Sequence, residues 1–287
     1  MKRIIFSGKN INCIAVLLFL LLPGSVYSQT EKDLNGFDGF IDSTMKKWNV
    51  PGLAIAIVKD GKVIYEKGYG YRNLNTKDKV TPNTLFSIAS ASKSFTATLA
   101  AMAVAEKKMD FDTPLIEYFP SFKMYDDYAT EHLTLRDLLT HRSGVPRQKF
   151  FSLNTPATRR EVRDCFRYFE PTADLRTKYQ YCNETYSIAG DMIAERYGIT
   201  WEEMIRRRLF EPLGMNNTLL SVRDVMKTSD YALPYIEWET GTPSQMEFHN
   251  ADILGAAGCI ISNVTDLSKW VIFQLNKGKV NEKQLVK

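Results

Sequence analysis

Leu53-Ala54-Ile55-Ala56-Ile57-Val58 is an unbroken apolar run, and Lys59-Asp60-Gly61-Lys62 separates it from a second strand-like run, Val63-Ile64-Tyr65-Glu66. Asp-Gly between two such runs signals a β-hairpin, because the central residues of a tight hairpin turn need positive φ and these two types supply it. The first run has no polar face to present to water. It is therefore expected to be a strand covered on both sides, within a sheet flanked by helices.

Covering segments are legible on either side. Leu34, Phe37, Ile41, Met45 and Trp48 recur at three- and four-residue steps, which predicts an amphipathic helix ended by Asn49-Val50-Pro51-Gly52. Ala97, Leu99, Ala100, Met102, Ala103 and Val104 predict a helix apolar on nearly every face, hence buried. Further helical spacing runs through the leucines of 133–139, through Ile188, Met192, Ile193 and Tyr197, through Trp201, Ile205 and Leu209, and over Asp266–Leu275. Residues 221–250 read as a long polar excursion with little periodicity, and no repeat or linker divides the chain. The fold class expected is α/β of the α+β type, an antiparallel sheet flanked by helices.

The buried helix begins with chemistry. Phe86-Ser87-Ile88-Ala89-Ser90-Ala91-Ser92-Lys93 places Ser90 and Lys93 three residues apart, on one face where an extended approach turns into the helix. The lysine amine can there take the serine proton, and the helix N-terminus favours the negative charge that results. Burial near the start of an apolar helix would lower the lysine pKa toward what a general base requires, provided the amine finds partners. Spacing alone is a weak signal. Ser43-Thr44-Met45-Lys46 has it too, on the polar face of the first amphipathic helix. His141, at a helix end beside Ser143-Gly144 and Pro146, is read as a structural hydrogen bonder rather than a base.

With 44% hydrophobic and 24% charged residues over 287 positions, the composition is that of a globular chain with a large core. Its start differs. Lys2, Arg3 and Lys9 precede an uncharged stretch with an apolar heart at Ile14–Leu22, a Pro23-Gly24 break and small residues at Val26 and Ser28. Residues 1–28 are thus expected to be a signal peptide cut before Gln29, with a periplasmic or secreted product; an uncleaved leader would be the one route to a membrane. The apolar heart is short beside the ~20 residues that span a bilayer. The leader carries three of the positive charges, so the remaining 259 residues fall from +4 to +1 and show no clustered basic face for nucleic acid. Arg206-Arg207-Arg208 reads as a solvated helix face. Cys165, Cys182 and Cys259, like His132, His141 and His249, lack ligand spacing, so no metal or other cofactor is expected; one disulfide among the cysteines stays open.

Stacked in order, these segments resemble the serine beta-lactamase-related family, which includes class C beta-lactamases, penicillin-binding DD-peptidases, esterases and D-aminopeptidases. Ser90-Ala91-Ser92-Lys93 looks like its first motif and Tyr181-Cys182-Asn183 like its second, Tyr-x-Asn. Leu138-Leu139-Thr140-His141-Arg142-Ser143-Gly144 and Glu211-Pro212-Leu213-Gly214-Met215 are similar to further signatures. Tyr71-Arg72-Asn73 also fits Tyr-x-Asn but lacks the neighbourhood. The resemblance implies a mostly helical domain, about 96–220, inserted between α/β parts at about 31–95 and 250–287, with the site in the cleft. It also implies roles: Ser90 as nucleophile, Lys93 and Tyr181 sharing proton traffic, Asn183 binding Lys93 and the substrate amide, and the Ser90 N–H helping to hold an oxyanion. A phenol titrates near pH ~10 and is a poor base unless a cation stands beside it, and Lys93 is such a neighbour.

This implies a serine hydrolase acting on an amide or ester, with a beta-lactam, a D-amino-acid peptide or an ester as substrate. Two departures stand out. Cys182 and Thr185 occupy places where the family more often has Ser and Gly. The third motif, Lys-Thr-Gly or His-x-Gly on a strand after the 266–275 helix, is not found, and the one Lys-x-Gly is Lys59-Asp60-Gly61 in the hairpin turn. The expectation is a chain incomplete at its C-terminus. The alternative reading is a non-catalytic member that binds cell-wall peptides or a protein, or an inactive fragment.

Overall fold

A computed structural model of the chain describes residues 34–148, 157–237 and 241–286. The expected signal peptide and its cleavage point lie outside the described residues, as does 149–156. The chain divides into two compact units, Met1–Phe40 and Ile41–Lys287. Of the first, only residues 34–40 are described, and they run into helix α1 (Phe37–Lys47). In the second part of that helix Ile41 and Met45 are buried while Ser43 and Lys46 face water, so the duplicate Ser-x-x-Lys is an exposed helical surface.

The larger unit opens on the expected hairpin. Strands β1 (Gly52–Lys59) and β2 (Lys62–Asn73) pair antiparallel, and Asp60 and Gly61 take φ of 51° and 72° in the turn. A short β3 (Asp78–Lys79) joins β2, giving the order β1-β2-β3. One expectation fails here. Residues 52–58 are only half-buried rather than enclosed on both faces. β1 is the edge strand, with no further strand on its outer side among the described residues, and cover comes from the helix at 264–275.

After β3 the chain reaches β4 (Phe86–Ser87), a single 3-10 turn (Ala89–Ala91) and helix α2 (Ser92–Ala105). Helices follow through residue 213, among them α3 (Leu135–Leu139) and α4 (Asn183–Glu195). The helix expected over Trp201–Leu209 starts as α-helix at Trp201–Ile205 and loosens into a π-helical turn at Arg206–Phe210. The 221–250 excursion is more ordered than its pattern suggests. It holds a short helix, Val222–Val225, and a hairpin of β5 (Tyr235–Glu237) with β6 (Pro243–Gln245). Strands of three residues are too short to display an alternating pattern. The chain then makes a 3-10 turn (Asp252–Ala257), β7 (Ile261–Ser262) against β4, helix α5 (Val264–Leu275), and a last hairpin of β8 (Lys279–Val280) and β9 (Lys283–Gln284).

The core lies where α2, α4 and α5 meet the helices between them. Phe95 stacks on Trp270 with centroids 3.8 Å apart and meets Phe210 edge-on at 6.0 Å. Leu99, Leu135, Leu138, Ile188, Met192 and Ile193 are fully enclosed with them. Each such side chain contributes about 1.5–3 kcal/mol by leaving water. The apolar face of α2 therefore outweighs the cost of carrying Lys93 inside, provided that amine is hydrogen-bonded. Helix α4 packs on the 252–257 turn through Gly190, where a methyl group would overlap the Ala256 side chain and sit 2.9 Å from Trp201 Cδ1. Gly190→Ala should cost about 1–3 kcal/mol by overpacking, read as a lowered urea midpoint with unchanged slope. Parental stability in that variant would mean that helix and turn separate freely.

Candidate active site

The corner at Ser90 is shaped by its neighbours' backbone. Ile88 N–H donates to Ile260 O at 3.0 Å, which continues the β4–β7 pairing up to the turn. Ala89 then takes a φ of 45°, a left-handed value that an L-residue with a Cβ adopts at a cost of about 1–2 kcal/mol. Ser92 holds this bend from below. Its hydroxyl donates to Ala89 O at 2.6 Å and accepts from Ile260 N–H at 3.2 Å. The reversal leaves Ser90 exposed at the mouth while Lys93, three residues on, is 8% exposed.

The predicted residues come together. Ser90 Oγ lies 2.6 Å from Tyr181 Oη and 3.3 Å from Lys93 Nζ. Lys93 Nζ also donates to Asn183 Oδ1 at 2.8 Å and to Ala257 O at 2.6 Å. Its charge sits over the Tyr181 ring at 4.9 Å and the Tyr186 ring at 5.4 Å. Burial holds the Lys93 pKa below its ordinary 10.5; Tyr181 and Glu184 pull it back up, while Arg147 pushes it further down. Three acceptors would satisfy an ammonium, so hydrogen bonding and burial pull in opposite directions, and burial wins. A neutral amine fits the same positions. Its two hydrogens go to the closer acceptors, Asn183 and Ala257, and its lone pair then faces the Ser90 hydroxyl. Lys93 can thus change protonation state without moving.

Tyr181 and Asn183 flank Cys182, the residue that precedes α4. Cys182 is fully buried, its thiol bonds to Glu184 Oε2 at 3.2 Å, and burial followed by the Glu184 charge pushes its pKa up to about 12. Such a thiol stays protonated and inert. His141 does not bond to Ser90. Its Nδ1 accepts from Cys182 N–H at 3.2 Å, and burial, then the nearby Lys93, press its pKa down to about 4. One loop back, the buried Asp137 carboxylate binds Arg142 at 3.3 Å and Arg176 at 2.9 Å, and accepts from Thr134 at 2.8 Å.

Two participants had no legible signal. Ala257 contributes only a carbonyl, which no residue type announces; the small residues of 255–258 merely permit the approach. Ala89 acts through a dihedral angle. The exposed Arg147, with its guanidinium 5.8 Å from the Tyr181 ring centroid, could have been suspected only from its place after the 138–144 motif. Cys165, Cys182 and Cys259 are free thiols. Among the described residues no three His, Cys, Asp or Glu side chains gather as metal ligands, and no helix is long and apolar enough to cross a membrane.

The chain is similar to known proteins in sequence and in fold. The beta-lactamase family profile matches residues 37–287. Unguisins hydrolase ungD' of Aspergillus campestris is 30% identical over 252 residues, which cover 84% of this chain and 47% of that protein. Protein flp of Staphylococcus aureus is 27% identical over 242 residues, covering 83% and 48%. The octameric penicillin-binding protein homologue from Pyrococcus abyssi superposes with a TM-score of 0.75 at 30% identity, over 88% of this chain and 59% of that one. The chain spans about half the length of the curated relatives it matches. A match that runs from α1 to the last residue, and a relative and a fold that agree with it, establish that this chain belongs to the beta-lactamase family.

Proposed function

We propose that the chain carries the acylating centre of a serine hydrolase, in which Ser90 attacks an amide or ester carbonyl. The observation that carries this reading is the pair of short contacts from one exposed hydroxyl, 2.6 Å to Tyr181 and 3.3 Å to Lys93. In the proposed reaction the Ser90 proton passes to the Lys93–Tyr181 pair as Oγ bonds to the carbonyl carbon. The oxyanion is met by the Ser90 backbone N–H at the head of α2, where the helix dipole favours negative charge. The C–N or C–O bond then breaks, and the leaving group takes its proton from Tyr181. Water later hydrolyses the ester on Ser90. Asn183 keeps its Oδ1 on Lys93 and offers its amide nitrogen to the substrate.

The substrate classes we propose are a beta-lactam, a D-amino-acid peptide or a simple ester; the hydrolase and penicillin-binding names among the relatives support hydrolysis of an acyl bond. We further propose that the reaction takes place outside the cytoplasm, on the strength of the basic and apolar leader. N-terminal sequencing of the exported product should begin at Gln29, and a mature chain that retains Met1 would overturn the export reading.

Incubation with a fluorescent penicillin, an activated ester and a fluorophosphonate, followed by peptide mapping, should place an adduct on Ser90. Ser90→Ala should abolish it, and Tyr181→Phe should slow it ~10²–10⁴-fold as befits a lost proton relay. An adduct elsewhere, or none with any of the three reagents, sinks the proposal. The pH dependence has a definite sign. The base form of Lys93 is the deprotonated one, so the labelling rate should rise with pH through the lowered pKa and level off above it. The midpoint should lie below 10.5, and a flat profile would remove Lys93 from the proton path.

A further inference from the structure

His141 is buried beside the centre yet takes no part in the proton path proposed above. Its place is explained by what it does to Tyr181. The His141 carbonyl accepts from Gln180 N–H at 2.8 Å, and its Nδ1 accepts from Cys182 N–H at 3.2 Å. Tyr181 is therefore bracketed by two hydrogen bonds that end on a single residue. A φ of 57° at His141 allows its carbonyl and its side chain to reach the same segment. The ring also packs at 4.6 Å on Tyr181, 5.2 Å on Tyr186 and 5.6 Å on Tyr179.

We propose that His141 is a positioning residue that clamps the 180–182 segment and so holds the Tyr181 hydroxyl over Ser90. The inference rests on the acyl-enzyme reading for its functional consequence. The clamp itself rests on the two hydrogen bonds. Cys182 precedes α4, so its N–H has no helical partner, and the imidazole supplies one. Nδ1 can accept only when it carries no proton. The groups facing the ring are Lys93, Tyr179, Tyr181, Tyr186 and the Cys182 amide, with Glu184 behind the thiol; burial and the Lys93 charge keep the imidazole neutral down to about pH 4. The clamp is anchored from behind. Arg176 N–H donates to Arg142 O at 2.8 Å and Thr172 N–H to Gly144 O at 3.1 Å, so the two segments continue side by side just beyond His141. The buried Asp137 carboxylate ties Arg142 to Arg176 across the same pair.

The test uses two variants of nearly equal size. His141→Leu keeps bulk against the three tyrosines and removes the acceptor. His141→Asn puts an amide oxygen near the place of Nδ1, on a residue type that tolerates left-handed φ. Amide hydrogen exchange over 179–183, with 188–193 of α4 as internal control, reads the clamp. Fluorophosphonate labelling of Ser90 reads its consequence. In His141→Leu, exchange over 179–183 should rise at least about tenfold with 188–193 unchanged, and the maximal labelling rate should fall ~10–100-fold at unaltered half-saturation, the size of loss that a misplaced catalytic group produces. His141→Asn should restore both to within about threefold by the same positional argument. Unchanged exchange over 179–183 in His141→Leu overturns the clamp, as does equal loss of labelling in both variants. A parental chain that fluorophosphonate does not label at Ser90 refutes the acyl-enzyme reading, and the exchange measurement then decides the clamp alone.

Discussion

An amine drawn inside a protein needs an acceptor for every hydrogen it carries, and Lys93 finds its acceptors on three separate pieces of chain. Ser90 belongs to the turn before α2, Asn183 to the first residue of α4, and Ala257 to the 3-10 turn that leads into β7. The farthest of them, Ala257, lies 164 residues along the chain from Lys93, and each piece is fixed by its own packing. Withdrawing the piece that carries Asn183 or Ala257 would leave one N–H of the buried amine without its acceptor, at about 1–3 kcal/mol. The amine thus works as a gauge of assembly: its bonds are all made only when α2, α4 and the 252–257 turn are in place together.

Around that amine the site is built largely from main chain. Ala89 bends left-handed, Ser92 secures the bend with a bond to its carbonyl, and Ile260, just before β7, holds the Ser92 hydroxyl in turn. On the opposite side, the 180–182 segment is tied to His141, and His141 to the Asp137–Arg142–Arg176 network. Both sides place strained or polar features where a stability-minded design would put apolar ones. The large fully buried side chains, Phe95, Leu99, Trp201 and Ile188 among them, lie one layer deeper and offset that cost.

The charges are arranged by the same logic. Burial lowers the Lys93 pKa, and while Lys93 holds its proton its charge helps to keep His141 from gaining one. Two cations cannot share so small a space. The cysteine that replaces the more usual serine between Tyr181 and Asn183 is silenced by burial and by Glu184, so it acts as a space-filling residue in the wall.

Much of this was readable from residue order. The hairpin, the buried helix after Ser90 and the amphipathic α1 follow from apolar periodicity and turn chemistry, which are local. Ser90 and Lys93 stood out by their spacing at the head of that helix, and Tyr181 and Asn183 only by resemblance to a family motif. The half-exposed state of β1 was not readable, because burial depends on which element lies alongside a strand, and among the described residues β1 has a neighbouring strand on one side only. The short hairpin at 235–245 escaped for want of length. Ala257, Ala89 and the two hydrogen bonds that the 180–182 segment makes to His141 escaped because they depend on carbonyls, amides and dihedral angles, which no letter distinguishes. The sequence by itself determined which side chains could carry acyl chemistry. Only the tertiary structure decided which backbone groups would hold them, since that choice is made where segments distant in the chain meet.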